Sequence, residues 1–207
     1  MRPRGAGVLV ALALVCCSVG EGQGEASSDR LFARGCLDGP YQLKPTFFAS
    51  SPYRNTQTLR LQRTDEIVDN ADGVQILVND TARVRNSLGG PLRVGLPPAV
   101  RPPGVDIVPD PDPPVVQLSL YLHETCHGQN ITLHALRGTI TFRRLFSGDP
   151  TEDNADERLS EAEFDVEVGD PRDQPPQGGE VPPELRSRLR GWFRFFFERG
   201  QPAQPFP

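Results

Sequence analysis

The chain has 207 residues, a formal charge of −5 and 37% hydrophobic residues, with 22 Pro and 20 Gly. That length fits one domain with tails, the acidic balance argues against a nucleic-acid surface, and the Pro and Gly content favours turns and long connections over packed helices. Enough Val, Ile, Leu and Phe remain for one modest core.

The opening MRPRGAGVLVALALVCCSVGEG carries Arg2 and Arg4, then an apolar run from Val8 to Val15, then small residues. That is the pattern of an export signal. The run is too short to span a bilayer, which takes about 20 residues. Two cleavage readings follow. Leu14 and Val15 ahead of Cys17 spell a bacterial lipobox, so that residues 1–16 are the signal peptide and Cys17 is the lipid anchor; Cys16 departs from the small residue usual before the cut. The other reading is ordinary cleavage after Ser18-Val19-Gly20. The short signal and the polar stretch SVGEGQGEASS favour the lipoprotein, with residues 17–30 as a flexible tether. Ser18 next to the anchor, in place of a retention aspartate, points to the outer membrane. Cys36 and Cys126 stay in the folded part under both readings. Two cysteines in an exported chain pair readily into a disulfide, with free or metal-binding thiols as the alternative.

Residues 31–174 read as a β-rich domain. TLRLQRTD (58–65) alternates with Leu59 and Leu61 on one face, and GVQILVND (73–80) follows a turn at DNAD. PLRVGLPP (91–98) is a short edge strand stopped by prolines, and the proline-rich connection at 101–116 cannot be helical. VVQLSLYLH (115–123) is the strongest strand, with Val116, Leu118, Leu120 and Leu122 on one face. NITLHALRGTITFRRLF (130–146) is one long strand or two joined at Gly138, and AEFDVEVGD (162–170) alternates Phe164, Val166 and Val168 with acids. Short strands with no βαβ rhythm predict a mainly β fold, an antiparallel sandwich or open barrel of about six to eight strands.

A linker at 175–182 precedes PPELRSRLRGWFRFFFERG, which is predicted as one C-terminal helix with a tail over residues 183–207. Pro183 suits its first turn, Glu184 its positive end and Gly200 its stop. Leu185, Leu189, Trp192, Phe193 and Phe196 recur at helical spacing; WFRFFF is also strand-like in composition. An Arg- and Phe-rich amphipathic helix can lie on an anionic membrane through Arg186, Arg190, Trp192 and Arg194, or pack on its own domain.

YLHETCHGQNITLH (121–134) holds all three histidines and spells H-E-x-x-H, the pattern of a zinc-protease helix. The alternation into His123 says strand, HGQN says turn, and ITLH resumes the strand. On a strand, residues four apart lie about 13 Å apart, too far for one zinc. A curled hairpin could still bring His123, His127 and His134 together with Glu124 nearby, as a zinc or copper set for a metal-binding protein or a metal-dependent hydrolase. The acidic loop SGDPTEDNADERLSEAEFD offers Asp149, Glu152, Asp153 and Asp156 as a possible calcium site, but not at the spacing of an EF-hand, so a solvated loop is the plainer reading. Asn79 and Asn130 begin glycosylation sequons that matter only in a eukaryotic source.

CHGQNITLHALRGTITFRRLFSGDPTEDNADERLSEAEFDVEVGDPR together with the ending GWFRFFFERGQPAQPFP resembles exported lipoproteins of the myxobacterial-type cell envelope. The resemblance covers about half of the chain. It implies an envelope location and a β-rich body, and no activity or catalytic residue comes with it. The sequence thus predicts an exported, lipid-anchored, non-catalytic binding or structural protein. It needs no cofactor; its partners would be the membrane, through the anchor, and an envelope protein or glycan.

Overall fold

The computed structural model describes residues 22–65, 68–96, 113–175 and 179–198. The signal peptide, Cys17, the centre of the proline-rich connection and the QPAQPFP tail lie outside the described residues. Ten strands follow one another: β1 (Gly22–Ala33), β2 (Leu37–Leu43), β3 (Phe47–Tyr53), β4 (Thr56–Gln62), β5 (Asp72–Val78), β6 (Pro91–Arg93), β7 (Val116–Leu122), β8 (Thr132–Arg144), β9 (Leu159–Gly169) and β10 (Ser187–Phe196). Two short helices, α1 (Thr81–Arg85) and α2 (Ala155–Arg158), are N-capped by Asp80 and Asn154, whose side chains accept from backbone N–H groups in the first turn.

The strands form one antiparallel sheet in the order β2-β1-β10-β9-β8-β7-β5-β4-β3, with β6 beside β8. The long β8 shares one edge between two partners, β7 along residues 132–134 and β6 along 139–141. Alternation explains the inner face. Leu59 and Leu61, then Val74, Ile76 and Val78, then Val116 to Leu122 at every second position, are all buried in one cluster with Phe142, Phe164, Phe193 and Phe195. A sheet whose two ends share one core must curl, and Phe48 shows where it does. From edge strand β3 its ring reaches that of Phe195 on β10, third from the other end of the order, centroids 5.5 Å apart. The result is an open half-barrel. Truncating one of these buried Leu or Phe side chains to Ala costs about 2–5 kcal/mol.

Both edge strands carry a proline, Pro40 in β2 and Pro52 in β3. Proline offers no N–H to an incoming strand, which blunts an exposed edge. Opposite Pro40, β1 shifts register between Ser28 and Leu31, so two residues, Asp29 and Arg30, face one and β1 bulges by one residue where the partner cannot donate.

Three expectations are corrected. The strand number exceeds the predicted range because residues 22–33 and 187–196 are strands and the 37–53 stretch supplies two more. The stretch expected as a tether, 17–30, is from Gly22 onward the beginning of β1. Its small residues have a purpose: Gly22 and Gly24 stand opposite Phe195 and Phe193. A Cβ at Gly22 would fall on Phe195 and on the Phe48 ring. The C-terminal helix is also replaced. Pro183–Leu185 make a single 3-10 turn, and β10 then pairs with β1 on one side and β9 on the other. Leu189, Phe193 and Phe195 point inward and Arg188, Arg190, Trp192 and Arg194 outward. Gly191, costly in a helix, fits here because the Phe164 ring from the paired position on β9 lies across it, the rescue of a strand glycine by a cross-strand aromatic.

Candidate functional site

The H-E-x-x-H stretch is the turn between β7 and β8, and its two histidines and His134 part company. The Nδ1 of His123 lies 2.8 Å from the Val68 carbonyl; a carbonyl can only accept, so this nitrogen carries the proton. His127 sits exposed on the turn. His134 stands on the outer side of β8, opposite Ser119 and Gly169, where burial lowers its pKa and the nearby Asp170 partly offsets the effect. Among the described residues no three His, Cys, Asp or Glu are placed to hold a metal ion, so the expected convergence of His123, His127 and His134 is corrected. The acidic loop is turn chemistry as well. The Asp149 carboxylate accepts from the backbone and hydroxyl of Thr151, Glu152 accepts from the N–H of Asn154, and Asn154 caps Asp156. Asp149, Glu152, Asp153 and Asp156 are not gathered round one point.

The turn has a structural task. Cys126 is bonded to Cys36 on the β1–β2 turn, with the Cα atoms 5.6 Å apart. Beside the bridge lies Asp72, whose side chain has no exposure. It accepts the backbone N–H groups of Glu124 and Thr125 at 3.0 Å each, the Thr125 hydroxyl and the Tyr41 hydroxyl, and Arg63 approaches to 3.4 Å. Burial first, and the Asp72 charge second, push the Tyr41 phenol above its ordinary pKa, so it stays a donor. One carboxylate thereby joins β2, β5 and the β7–β8 turn.

The surface chemistry lies at the other side, on the outer face of β1, β10, β9 and β8. Trp192 is the chain's one tryptophan and stands 45% exposed. In register beside it are Glu25 on β1 and Glu163 on β9, and Thr141 lies beyond Glu163. The next row is Ser27, Arg190, Asp165 and Thr139. These side chains line one shallow groove across four strands.

Most of its charges are spent on each other. Arg188 binds Asp165 through Nε at 2.7 Å, and Arg190 shares the same carboxylate at 3.4 Å. Arg143 holds Glu163 at 3.0 Å, Arg137 holds Glu167 at 2.8 Å, and Gln42 donates to Glu25 at 2.7 Å. Hydrogen bonding by Arg188 holds the Asp165 carboxyl below its ordinary pKa, and Arg137 does the same for Glu167.

Comparison with protein-family models, curated proteins and solved structures finds no match. The site therefore rests on its own geometry. Of the four residues expected on a membrane-surface helix, Arg190, Trp192 and Arg194 do share the outward face, as a strand. Arg186 precedes the strand and is tied to Glu180 and the Val181 carbonyl. Sequence reasoning missed Glu25, Glu163 and Asp165 as their companions. The available signal was the outward set of AEFDVEVGD, whose acids complement the alternate arginines of RLRGWFR.

Proposed function

We propose that the chain is an exported, lipid-anchored, non-catalytic binding protein of the cell envelope, and that it binds through the outer face around Trp192. The observation that carries this reading is a large indole left 45% exposed in a sheet face where its neighbours Glu163 and Asp165 are held by Arg143 and Arg188. Aromatic side chains with polar neighbours are the usual anchors of recognition surfaces. Asp165 in the next row is suited to binding. A carboxyl held below its ordinary pKa by arginine accepts hydrogen bonds but does not serve as a proton donor near neutral pH.

Export is supported by the Arg2/Arg4 and Val8–Val15 pattern, by the lipobox ending at Cys17, by the resemblance to envelope lipoproteins and by the Cys36–Cys126 bridge, which belongs in an oxidising compartment. Among the described residues no helix is long and apolar enough to cross a membrane, so attachment in this reading falls to the acyl chains on Cys17.

The test is to express the full chain in a bacterial host, separate its membranes, and weigh the N-terminal peptide. The expected result is an acylated Cys17, an intact Cys36–Cys126 bridge, and envelope material co-purifying with the parent but not with Trp192→Ala. An unmodified chain in the cytosol with two free thiols would refute the proposal.

A further inference from the structure

We infer that the groove across β8, β9, β10 and β1 binds a neutral oligosaccharide, with one sugar ring stacked on Trp192. The inference rests on the proposed use of this face for binding and adds the chemical class of the ligand.

Size speaks first. A single indole is a flat apolar platform the size of one ring, whereas a stable protein partner needs a buried patch of about 1,000 Å² or more with an apolar centre. The C–H face of a pyranose matches one indole. The surrounding groups match its rim: carboxylate acceptors on Glu25, Glu163 and Asp165, a guanidinium donor on Arg190, and hydroxyls on Ser27, Thr139 and Thr141. Ligand sites commonly combine an apolar floor with a few such convergent polar groups. The short Ser and Thr side chains lie at the two ends of the groove, on β1 and β8, and leave those ends low. Three interstrand spacings make it about 14 Å long, the span of a short oligosaccharide rather than one sugar.

Charge argues for neutrality. Strands β1, β8, β9 and β10 carry six acids and seven arginines, a net of one positive charge. Of those nearest the indole, Glu163, Asp165 and Arg190 are already in ion pairs, and Glu25 accepts from the Gln42 amide. An anion would have to take Arg190 or Arg188 from Asp165, and a cation would have to take Glu163 from Arg143 or displace the Gln42 amide from Glu25. A quaternary ammonium also wants a cage of several rings. Here one indole stands in the groove, and Phe164 is buried beneath Gly191. A polyol meets no such competition, because a paired carboxylate or guanidinium still has hydrogen-bonding positions to offer.

Trp192 is the chain's sole tryptophan, so its fluorescence reports this groove directly. The experiment titrates the full chain with neutral hexasaccharides of α- and β-linked glucose, β-linked mannose, β-linked galactose and β-linked N-acetylglucosamine. Heparin and tetramethylammonium serve as charged probes, and phosphatidylglycerol vesicles and a glycan-free envelope protein extract as the remaining ones. The expected result is a saturable change with at least one neutral hexasaccharide that persists when NaCl rises from about 0.05 to about 0.5 M. Calorimetry should show Trp192→Ala binding at least about tenfold more weakly, with an unchanged melting curve, and Trp192→Phe in between. Silence across the neutral panel, or a response to charged probes alone that salt abolishes, overturns the inference. A response to vesicles or protein extract without one to saccharides refutes the ligand class and leaves the binding face standing. Silence towards every probe refutes both.

Discussion

Asp72 has no exposed side-chain surface and holds two backbone N–H groups, two hydroxyls and the fringe of an arginine. Asp165 keeps 41% of its side chain in water and holds two arginines. Both collect several partners, yet the surroundings set their worth. At Asp72 water cannot replace a lost partner, so each hydrogen bond carries the full penalty of leaving a buried polar group unsatisfied. At Asp165 water and salt compete at every moment. The first carboxylate closes the fold; the second tailors a surface and leaves the fold nearly indifferent.

Mutation should break this comparison most sharply at the buried end. Asp72→Ala is expected to lose about 3–5 kcal/mol of stability in urea unfolding, as when one member of a buried charged network is removed. A loss under about 1 kcal/mol would mean that the β7–β8 turn is held by other means. Next comes the bridge beside it. Replacing Cys36 and Cys126 together by Ser should cost about 2–4 kcal/mol, since the disulfide closes a long loop; an equally stable variant would show the bridge to be dispensable.

At the exposed end, Asp165→Asn should change stability by less than about 1 kcal/mol. Its signature is in acid. The folded pKa of Asp165 is depressed below its ordinary 3.8, so its contribution is complete above that value and is lost as pH falls through the folded pKa. Parent and variant should therefore have parallel stability profiles from pH 5 to 8 and diverge only below about pH 4. A smaller dependence comes from His134. Burial depresses its folded pKa below the ordinary 6.5, so the unfolded chain binds the proton first as pH falls and stability declines between pH 7 and 5. In His134→Gln that slope should flatten; an unchanged slope would assign it to another group.

Much of the sheet was legible because strand alternation is a local property. Leu59 and Leu61, Val116 through Leu122, and Phe164 through Val168 each declare an inward face without knowing their neighbours. The hairpin at His123–His134 was legible for the same reason, and the alternation overrode the zinc-like spelling. The cysteine pair followed from its number once an oxidising compartment was assumed. The two outermost segments could not be read in this way. Gly22 to Ser28 lacks large apolar residues and resembles a tether on composition. RLRGWFRF satisfies helical and strand periods together.

The sequence by itself thus determined the antiparallel character, the inward faces of the central strands and the cysteines free to pair. Tertiary structure alone decided the rest. β10 is a strand because β1, far off along the chain, offers small residues opposite its phenylalanines, and the preceding strand β9 offers acids opposite its arginines. Asp72 became a buried hub, and Trp192 was left among paired charges, because a curled sheet brings distant turns together on one side and holds its other face to water. Such pairings depend on which strands become neighbours, and no local pattern of residues encodes that.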